Sequence, residues 1–441
     1  MRFEPKAHFN YDPQPSASLK IQTSRVEEKI AVPFMRPCLN EDEIEEVVDT
    51  LRSGWLTTGP KVKKFENNFA EAVRAPFAVA VNSCTAALHL AVEALGLRPG
   101  QGVLVPSMTF AATAEIVQYK GAIPILVDCD PETGNMDIED ARRKIEMIRA
   151  GKLSFVARRD LEIVGVIPVH VGGYMLNVDE IKQFASEFGL WIVEDAAHAF
   201  PSAWRRSQTS DWQICGENTS AITCYSFYAN KTITTGEGGM AVTHNELLAE
   251  RMRLMSLHGL SRDAWQRYSA AGSWDYKILA PGYKYNLTDI AAAIGIHQLA
   301  RAESMRVMRE NVADHYLTEF AGVAEMELPV SDKVNRIHSW HLFPIRLNLD
   351  TLSISRDQFI EELKAGDIGC SVHWRPLHLH PHYAKNIGWR EKHLPVSTQL
   401  WKQVISLPIF PSITDREINH VVRTVKDICR KHSKVRLSLV A

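Results

Sequence analysis

No two of the seven cysteines stand in a CxxC pair, and none shares with a histidine the spacing that holds zinc, so no metal centre is expected. Cys38, Cys84, Cys129, Cys215, Cys224, Cys370 and Cys429 are scattered and odd in number, a pattern suited to a reducing compartment. An excess of one charge is missing as well. The 50 lysines and arginines face 52 aspartates and glutamates, and a formal charge of −2 gives no net basic field to draw nucleic acid or an anionic membrane. The opening MRFEPKAHFNYDPQPSASLK holds no apolar segment of the kind a secretory leader carries, and no run approaches the roughly 18 apolar residues of a membrane span. The expected location is the cytoplasm. There is no internal repeat and no low-complexity tract. What remains is an ordinary globular composition, 45% hydrophobic and 23% charged, over 441 residues, a length that favours two or three domains.

The first thirty residues are polar, with proline and serine and no sustained apolar period, and read as a flexible arm over 1–30. From there the pattern is globular. NEDEIEEVVDTLR, residues 40–52, opens on an asparagine cap with acidic residues in its first turn and sets Ile44, Val47, Val48 and Leu51 on one helical face. Short apolar runs then alternate with helical periods: FAVAVN, a helix at about 85–95, VLVPS, a helix at about 111–119, IPILVD, IVGVIPV, a helix near 178–188, and LWIVED. That alternation predicts βαβ units and a mostly parallel sheet flanked by helices. Ligands of such sheets bind at the carboxyl ends of the strands. Asn82, Ser83, Ser107, Asp128, His170, Asp195 and Ser226 all fall there. The charged stretch 141–160 reads as a helix plus a surface excursion, and a long amphipathic helix is expected from Thr288 past Met305. An apolar run (HLFPIRL), a helix (SRDQFIEELKAG) and a histidine-rich segment (SVHWRPLHLHPHY) then predict a smaller C-terminal α+β domain. The division expected is an arm at 1–30, a large domain at 31–295 and a small one at 296–441.

Four motifs carry chemistry. In SFYANKTITTGEGG a lone Lys231 lies between an apolar strand and a glycine-rich turn, and a lysine buried there loses its proton and becomes a nucleophile for an aldehyde. In IVEDAAHA, Asp195 ends a wholly apolar strand, where a carboxylate needs a cationic partner such as a protonated pyridine nitrogen. In VNSCTAALHLAVEALG a strand ends at Asn82 and Ser83 and a helix opens, so the free N–H groups of its first turn, with the hydroxyls of Ser83 and Thr85, make an anion site. In GYKYNLTDIAAAIGIHQLA, Lys284 and Asn286 precede a helix of small residues. Taken singly, each has an ordinary reading too: a surface lysine, a turn-capping aspartate, a helix N-cap, a closely packed helix.

In order and spacing, these motifs resemble those of the DegT/DnrJ/EryC1/StrS aminotransferases, a branch of the fold-type I pyridoxal 5′-phosphate (PLP) enzymes. The resemblance runs from about Pro33 to Lys431 and includes GWLTTGPKVKKFE, NSCTAALHLA, PSMTFAATA, VEDAAHA, SFYANKTITTGEGG, GYKYNLTDIAAA, HSWHLFPIRL, GCSVHWRPLHLHPHY and SLPIFP. It implies PLP held by Lys231 as a Schiff base, Asp195 on the pyridine nitrogen, His198 at the phenolic oxygen and Phe110 stacked on the ring. Ser83, Cys84, Thr85 and Ser226 would hold the phosphate. Lys284 and Asn286 would reach into the neighbouring subunit of a homodimer.

For the substrate, the resemblance points to Trp55, Thr58, His373, Trp374, His378 and Tyr383, and to a nucleotide-linked keto sugar, an NDP-4-keto-6-deoxyhexose. L-glutamate would be the amino donor, in polysaccharide, glycan or secondary-metabolite synthesis. Related enzymes that dehydrate sugars carry histidine in place of the lysine, whereas this chain has Lys231. A cyclitol or other ketone as acceptor, and a non-catalytic PLP-binding protein, are the remaining alternatives. Cysteine at 84 stands where glycine is common, and GYKYN where many relatives read GYNYR.

Overall fold

The computed structural model describes residues 30–217, 220–261 and 277–434. The arm expected at 1–30 lies, but for Ile30, outside the described residues. Helices α1 (Glu41–Ser53) and α2 (Pro60–Ala72) lead into β1 (Phe77–Val81), α3 (Cys84–Ala94), β2 (Gly102–Pro106), α4 (Ala112–Tyr119), β3 (Ile123–Val127), α5 (Ile138–Arg149), β4 (Ile163–Val166), α6 (Val178–Phe188) and β5 (Trp191–Asp195). Two short strands, β6 (Ala203–Trp204) and β7 (Gln213–Ile214), precede β8 (Ile222–Ser226), β9 (Gly239–Thr243) and α7 (Glu246–Ser256). After α8 (Asp289–Ala300) and α9 (Ala302–Glu319) come β10 (Met326–Glu327), β11 (Arg336–Ile337), β12 (Phe343–Leu347), α10 (Arg356–Ala365), α11 (Pro395–Gln403), β13 (Val404–Leu407) and α12 (Asp415–His432).

Seven strands form the main sheet in the order β1-β9-β8-β5-β4-β2-β3. Every pairing is parallel except those of β9, which runs against both β1 and β8. A parallel sheet covered on both faces needs strands that are apolar throughout. Val103, Leu104 and Val105 on β2 are accordingly all fully buried. One face packs Val81, Val105 and Cys224 against α3, α4 and α7; the other packs Leu104, Ile125 and Val127 against α5 and α6. At the β1 end, Phe65, Phe69, Tyr225 and Phe227 join α2 and α8 to the sheet. The C-terminal sheet, β10-β12-β13, is antiparallel, and β12 alternates buried with half-buried residues, as a sheet covered on one face requires.

The structure adds detail to several expectations. The α1 capping box at Asn40 and Glu43 is present, yet the helix buries Glu43 and Thr50 and leaves Ile44 and Leu51 about half exposed, at 50% and 53%. Glu43 is drawn inward because its carboxylate accepts from Gln298 Nε2 at 2.8 Å and pairs with Arg301. The single helix expected from Thr288 is two, broken at Arg301, whose backbone leaves the helical range while its guanidinium reaches Cys38 O and Glu43. In the stretch 141–160 the expected helix is the remainder of α5, and the surface segment after it exposes Lys152, Ser154, Phe155, Arg158, Arg159 and Asp160 while Leu153 and Ala157 anchor it in the core. The boundary expected at 295/296 falls inside α8, and the described residues from Ala31 onward form one compact unit.

One polar contact shows how the late segments are fastened to the sheet. Leu394, at the cap of α11, offers no side-chain oxygen, and Asp128, just beyond β3, supplies one in its place. Its carboxylate accepts from Val396 N at 2.9 Å and Ser397 N at 2.8 Å, satisfying two donors that a helix start leaves open. Asp128→Ala is expected to lower unfolding free energy by about 1–2 kcal/mol, read as an earlier urea midpoint; an unchanged midpoint would show that this cap contributes nothing.

Candidate active site

The carboxyl ends of the parallel strands converge on a cavity of about 500 Å³. Strand β5 delivers Asp195 and then His198, β8 delivers Ser226 and the turn that holds Lys231, and β1 hands over to Ser83 and α3. The segment after β2 contributes Thr109 and Phe110, and the opposite wall is Ser371–Trp374 from the C-terminal part.

Ser83 is the N-cap of α3. Its backbone is extended and its Oγ accepts from Ala86 N at 3.1 Å, which leaves the N–H groups of Cys84 and Thr85 without intrahelical acceptors at the cavity edge. Gly239, opening β9, makes this seat possible. A Cβ there would stand 2.4 Å from the Ser83 carbonyl carbon and oxygen and 2.6 Å from Cys84 N. The arrangement is an anion site, with backbone donors and the positive end of a helix facing inward.

Asp195 is buried, and burial pushes its carboxyl above the usual range; hydrogen bonds from Thr113 and Ala197 and the nearby Lys231 pull it back. Thr113 Oγ1 donates to Oδ2 at 2.8 Å and is bonded in turn to Thr109 Oγ1, while Ala197 N donates to Oδ1 at 3.2 Å. A carboxylate so placed is stabilised by a cation in the cavity. Lys231 lies in the turn after β8, its N–H bonded to Tyr228 O at 2.9 Å. Burial lowers its pKa to about 8 against the opposing pull of Asp195, so the amine becomes a neutral nucleophile well below the range of an exposed lysine. His198 and His373 are held neutral chiefly by burial, His373 down to about 4. Burial pushes the Cys84 thiol far up.

Of the residues expected at the cofactor, Ser83, Cys84, Thr85, Phe110, Asp195, His198, Ser226 and Lys231 line this one cavity. Phe110 is 65% exposed, an aromatic ring left uncovered at the cavity wall. Lys284 and Asn286 lie outside its lining: they bond to each other, and Asn286 Nδ2 donates to Thr58 Oγ1 at 2.8 Å. Trp55 joins the same group, its Nε1 donating to Thr58 O at 3.0 Å.

Among the substrate candidates, His373 and Trp374 line the cavity. His378 and Tyr383 do not, which corrects the rim position expected for them. His378 is wholly buried between Ser107 Oγ and Thr398 Oγ1, each 2.7 Å from a ring nitrogen, and Tyr383 packs in the core with Leu377, Trp389 and Leu394. Residues not singled out from sequence are Thr109, Thr113, Tyr228, Asn230 and Glu237. Both threonines were in view within PSMTFAATA, four apart and hence on one side of a turn. Asn230 Oδ1 is buried and has no partner among the described residues. No group of three or more His, Cys, Asp or Glu residues is placed to hold a metal ion among the described residues.

These features fit pyridoxal phosphate: an amine for its aldehyde, a carboxylate for its ring nitrogen, an uncovered aromatic for its ring face and a helix start for its phosphate. Fold and site together define a fold-type I PLP-dependent enzyme. Residues 37–426 match the model of the DegT/DnrJ/EryC1/StrS aminotransferase family, and the chain belongs to that family as a PLP-dependent aminotransferase. It is 44% identical over 404 residues to the uncharacterized protein MJ1066 of Methanocaldococcus jannaschii, covering 91% of this chain and 98% of that one. It is 40% identical over 400 residues to the spore coat polysaccharide biosynthesis protein SpsC of Bacillus subtilis, covering 90% and 97%. Spr1654 of Streptococcus pneumoniae, assigned as a sugar aminotransferase, superposes in its PLP-form with a TM-score of 0.79 at 31% identity, covering 91% of this chain and 99% of that one. Its PMP-form gives the same TM-score and identity.

The lowered lysine makes a pH prediction. When PLP is added to the apoprotein, the rate of imine formation should climb as pH rises through about 8, because the neutral amine gains population there. A midpoint near the ordinary lysine value of about 10.4 would contradict the buried setting.

Proposed function

We propose that this sugar aminotransferase moves the amino group of L-glutamate to C4 of a nucleotide-linked 4-keto-6-deoxyhexose, in two half-reactions, to make an amino sugar for a polysaccharide, glycan or secondary metabolite. The observation that carries transamination is Lys231 with its pKa near 8 in the same cavity as the buried Asp195. The cofactor, when bound, supplies an electron sink for the carbanion at the amino-bearing carbon.

The chain's residues do the rest. Asp195 keeps the pyridine nitrogen protonated by charge pairing. Ser83, Cys84, Thr85 and Ser226 hold the phosphate, and Phe110 covers one ring face. His198 Nδ1 accepts from Gly172 N at 3.3 Å, which leaves Nε2–H as its donor for the cofactor's ring oxygen. Lys231 Nζ, freed when a substrate amine takes its place, accepts the proton from Cα and returns it at C4′. His373 and Trp374, across the cavity, are the groups offered to the sugar.

The acceptor class is supported by SpsC, named for polysaccharide synthesis, and by the sugar assignment of Spr1654. Charge supports a shared site. Among the described residues Lys231 is the one lysine or arginine lining the cavity, too little for a cofactor phosphate and a nucleotide diphosphate together. Lys284 and Asn286, with Trp55 and Thr58, are therefore assigned to the neighbouring subunit's site in a homodimer. Leu39, Ile44, Leu51 and Leu56 support this: they are half exposed in the segment next to that group, apolar area that a partner would cover.

The purified protein should show visible absorbance that is lost when L-glutamate is added and regained when an NDP-4-keto-6-deoxyhexose follows. Retention of both signals by Lys231→Ala would sink the assignment of that lysine; recovery with a cyclitol ketone alone would move the acceptor. In the same assay, mixing Lys231→Ala with a Lys284→Ala/Asn286→Ala double variant should restore turnover in exchanged dimers, and no restoration would refute the shared site.

A further inference from the structure

The HSWH turn, residues 338–341, runs between β11 and β12, and nothing in the reaction as described uses it. Two of its residues, Ser339 and His341, contact His198. Ser339 Oγ donates to His198 O at 2.6 Å, and Ser339 N donates to Ser202 Oγ at 3.1 Å, which itself donates to Gly173 O at 2.9 Å. The approach depends on Gly173, where a Cβ would stand 1.9 Å from Ser339 Oγ and 2.8 Å from His198 O. Three rings contact the His198 imidazole, with His373 the farthest at 6.5 Å and edge-on at 86°. Trp374 stacks at 5.1 Å between centroids and 17° between planes, and His341 lies at 4.2 Å and 48°. His341 is 4% exposed, and neither of its ring nitrogens has a hydrogen-bond partner among the described residues. Unpaired buried polar atoms cost stability. An imidazole stands at 341 despite that cost, and its ring lies against that of His198.

We propose that His341 and Trp374 are positioning residues, a ring clamp that fixes the plane of His198 and, with Gly172 N–H on Nδ1, keeps Nε2–H directed to the ring oxygen of the cofactor. The clamp rests on the assignment of His198 to that oxygen. Trp374 then acts on the chemistry through His198 as well as bordering the substrate space. His341 is held neutral by burial and by the positive groups around it, Lys231 and Arg309, with His198 and His373 also facing it; it therefore brings no charge to the clamp.

The test reads the holoenzyme's visible absorbance against pH, because a donor on the ring oxygen lowers the midpoint at which the lysine imine loses its proton. His198→Ala is expected to raise that midpoint by about one unit, a tenfold change in the proton equilibrium. His341→Leu and Trp374→Leu should each raise it by about half a unit, and neither should add to the shift in the His198→Ala background. His341→Phe and Trp374→Phe, which keep a ring in place, should restore the wild-type midpoint and serve if a leucine variant does not fold. His341→Leu should melt no lower than wild type, since it removes two unpaired nitrogens. A midpoint moved by His198→Ala but not by the leucine variants, or shifts that add to that of His198→Ala, would overturn the clamp alone. A midpoint unmoved by His198→Ala would overturn the role of His198 and the clamp with it.

Discussion

A buried carboxylate and a half-buried amine face one cavity, and the remaining structure is organised around the consequences. Burial pushes the Asp195 carboxyl up and brings Lys231 down to about 8, so each is less charged than it would be in water. Left alone, both would be a liability. A pyridinium ring bound there would restore the charge on the first, and the neutral amine of the second would be free to react with the cofactor's aldehyde. Thr113, Ala197 and the Thr109 hydroxyl behind Thr113 keep the carboxylate available in the meantime. Cofactor and apoprotein are complementary in this electrostatic sense before any substrate is considered.

Sheet topology makes the pairing possible. Parallel strands end on one edge, so Ser83, Asp195 and Ser226, far apart in the chain, meet there. The antiparallel β9 breaks the pattern for a reason. It returns the chain from the Lys231 turn to lie between β8 and β1, and its first residue must be glycine because α3 begins against it. The anion seat at the end of β1 and the lysine turn after β8 are thereby held on the two strands that flank β9. The C-terminal part closes the cavity from the other side through His373 and Trp374, and Asp128 at the start of α11 ties that part back to the sheet.

Local pattern carried much of this. The strands were readable because a sheet covered on both faces demands unbroken apolar runs, and α6 occupies the interval its periodicity indicated, Val178–Phe188. Lys231 and Asp195 each had an ordinary reading alone, and only the order and spacing of the four motifs, with the family they resemble, singled them out. What local pattern missed depended on partners far along the chain. The outward turn of Ile44 follows from Glu43 meeting Gln298 and Arg301, more than 250 residues away. His378 reads as a rim residue until Ser107 is seen at 2.7 Å, 271 positions earlier. Thr113 shows its purpose only beside the carboxylate of Asp195. Periodicity reports which face is apolar; it says nothing of which polar group will find a distant partner.

The central claim, that Lys231 is the residue that binds the cofactor covalently, is open to a direct chemical measurement. Borohydride reduction of the holoenzyme fixes the imine as a stable amine, and digestion followed by mass spectrometry locates it. The account predicts a phosphopyridoxyl group on Lys231, in the peptide spanning SFYANKTITTGEGG, and its absence from Lys231→Ala. The group on a different lysine, or no reducible imine in a protein that binds the cofactor, would contradict it.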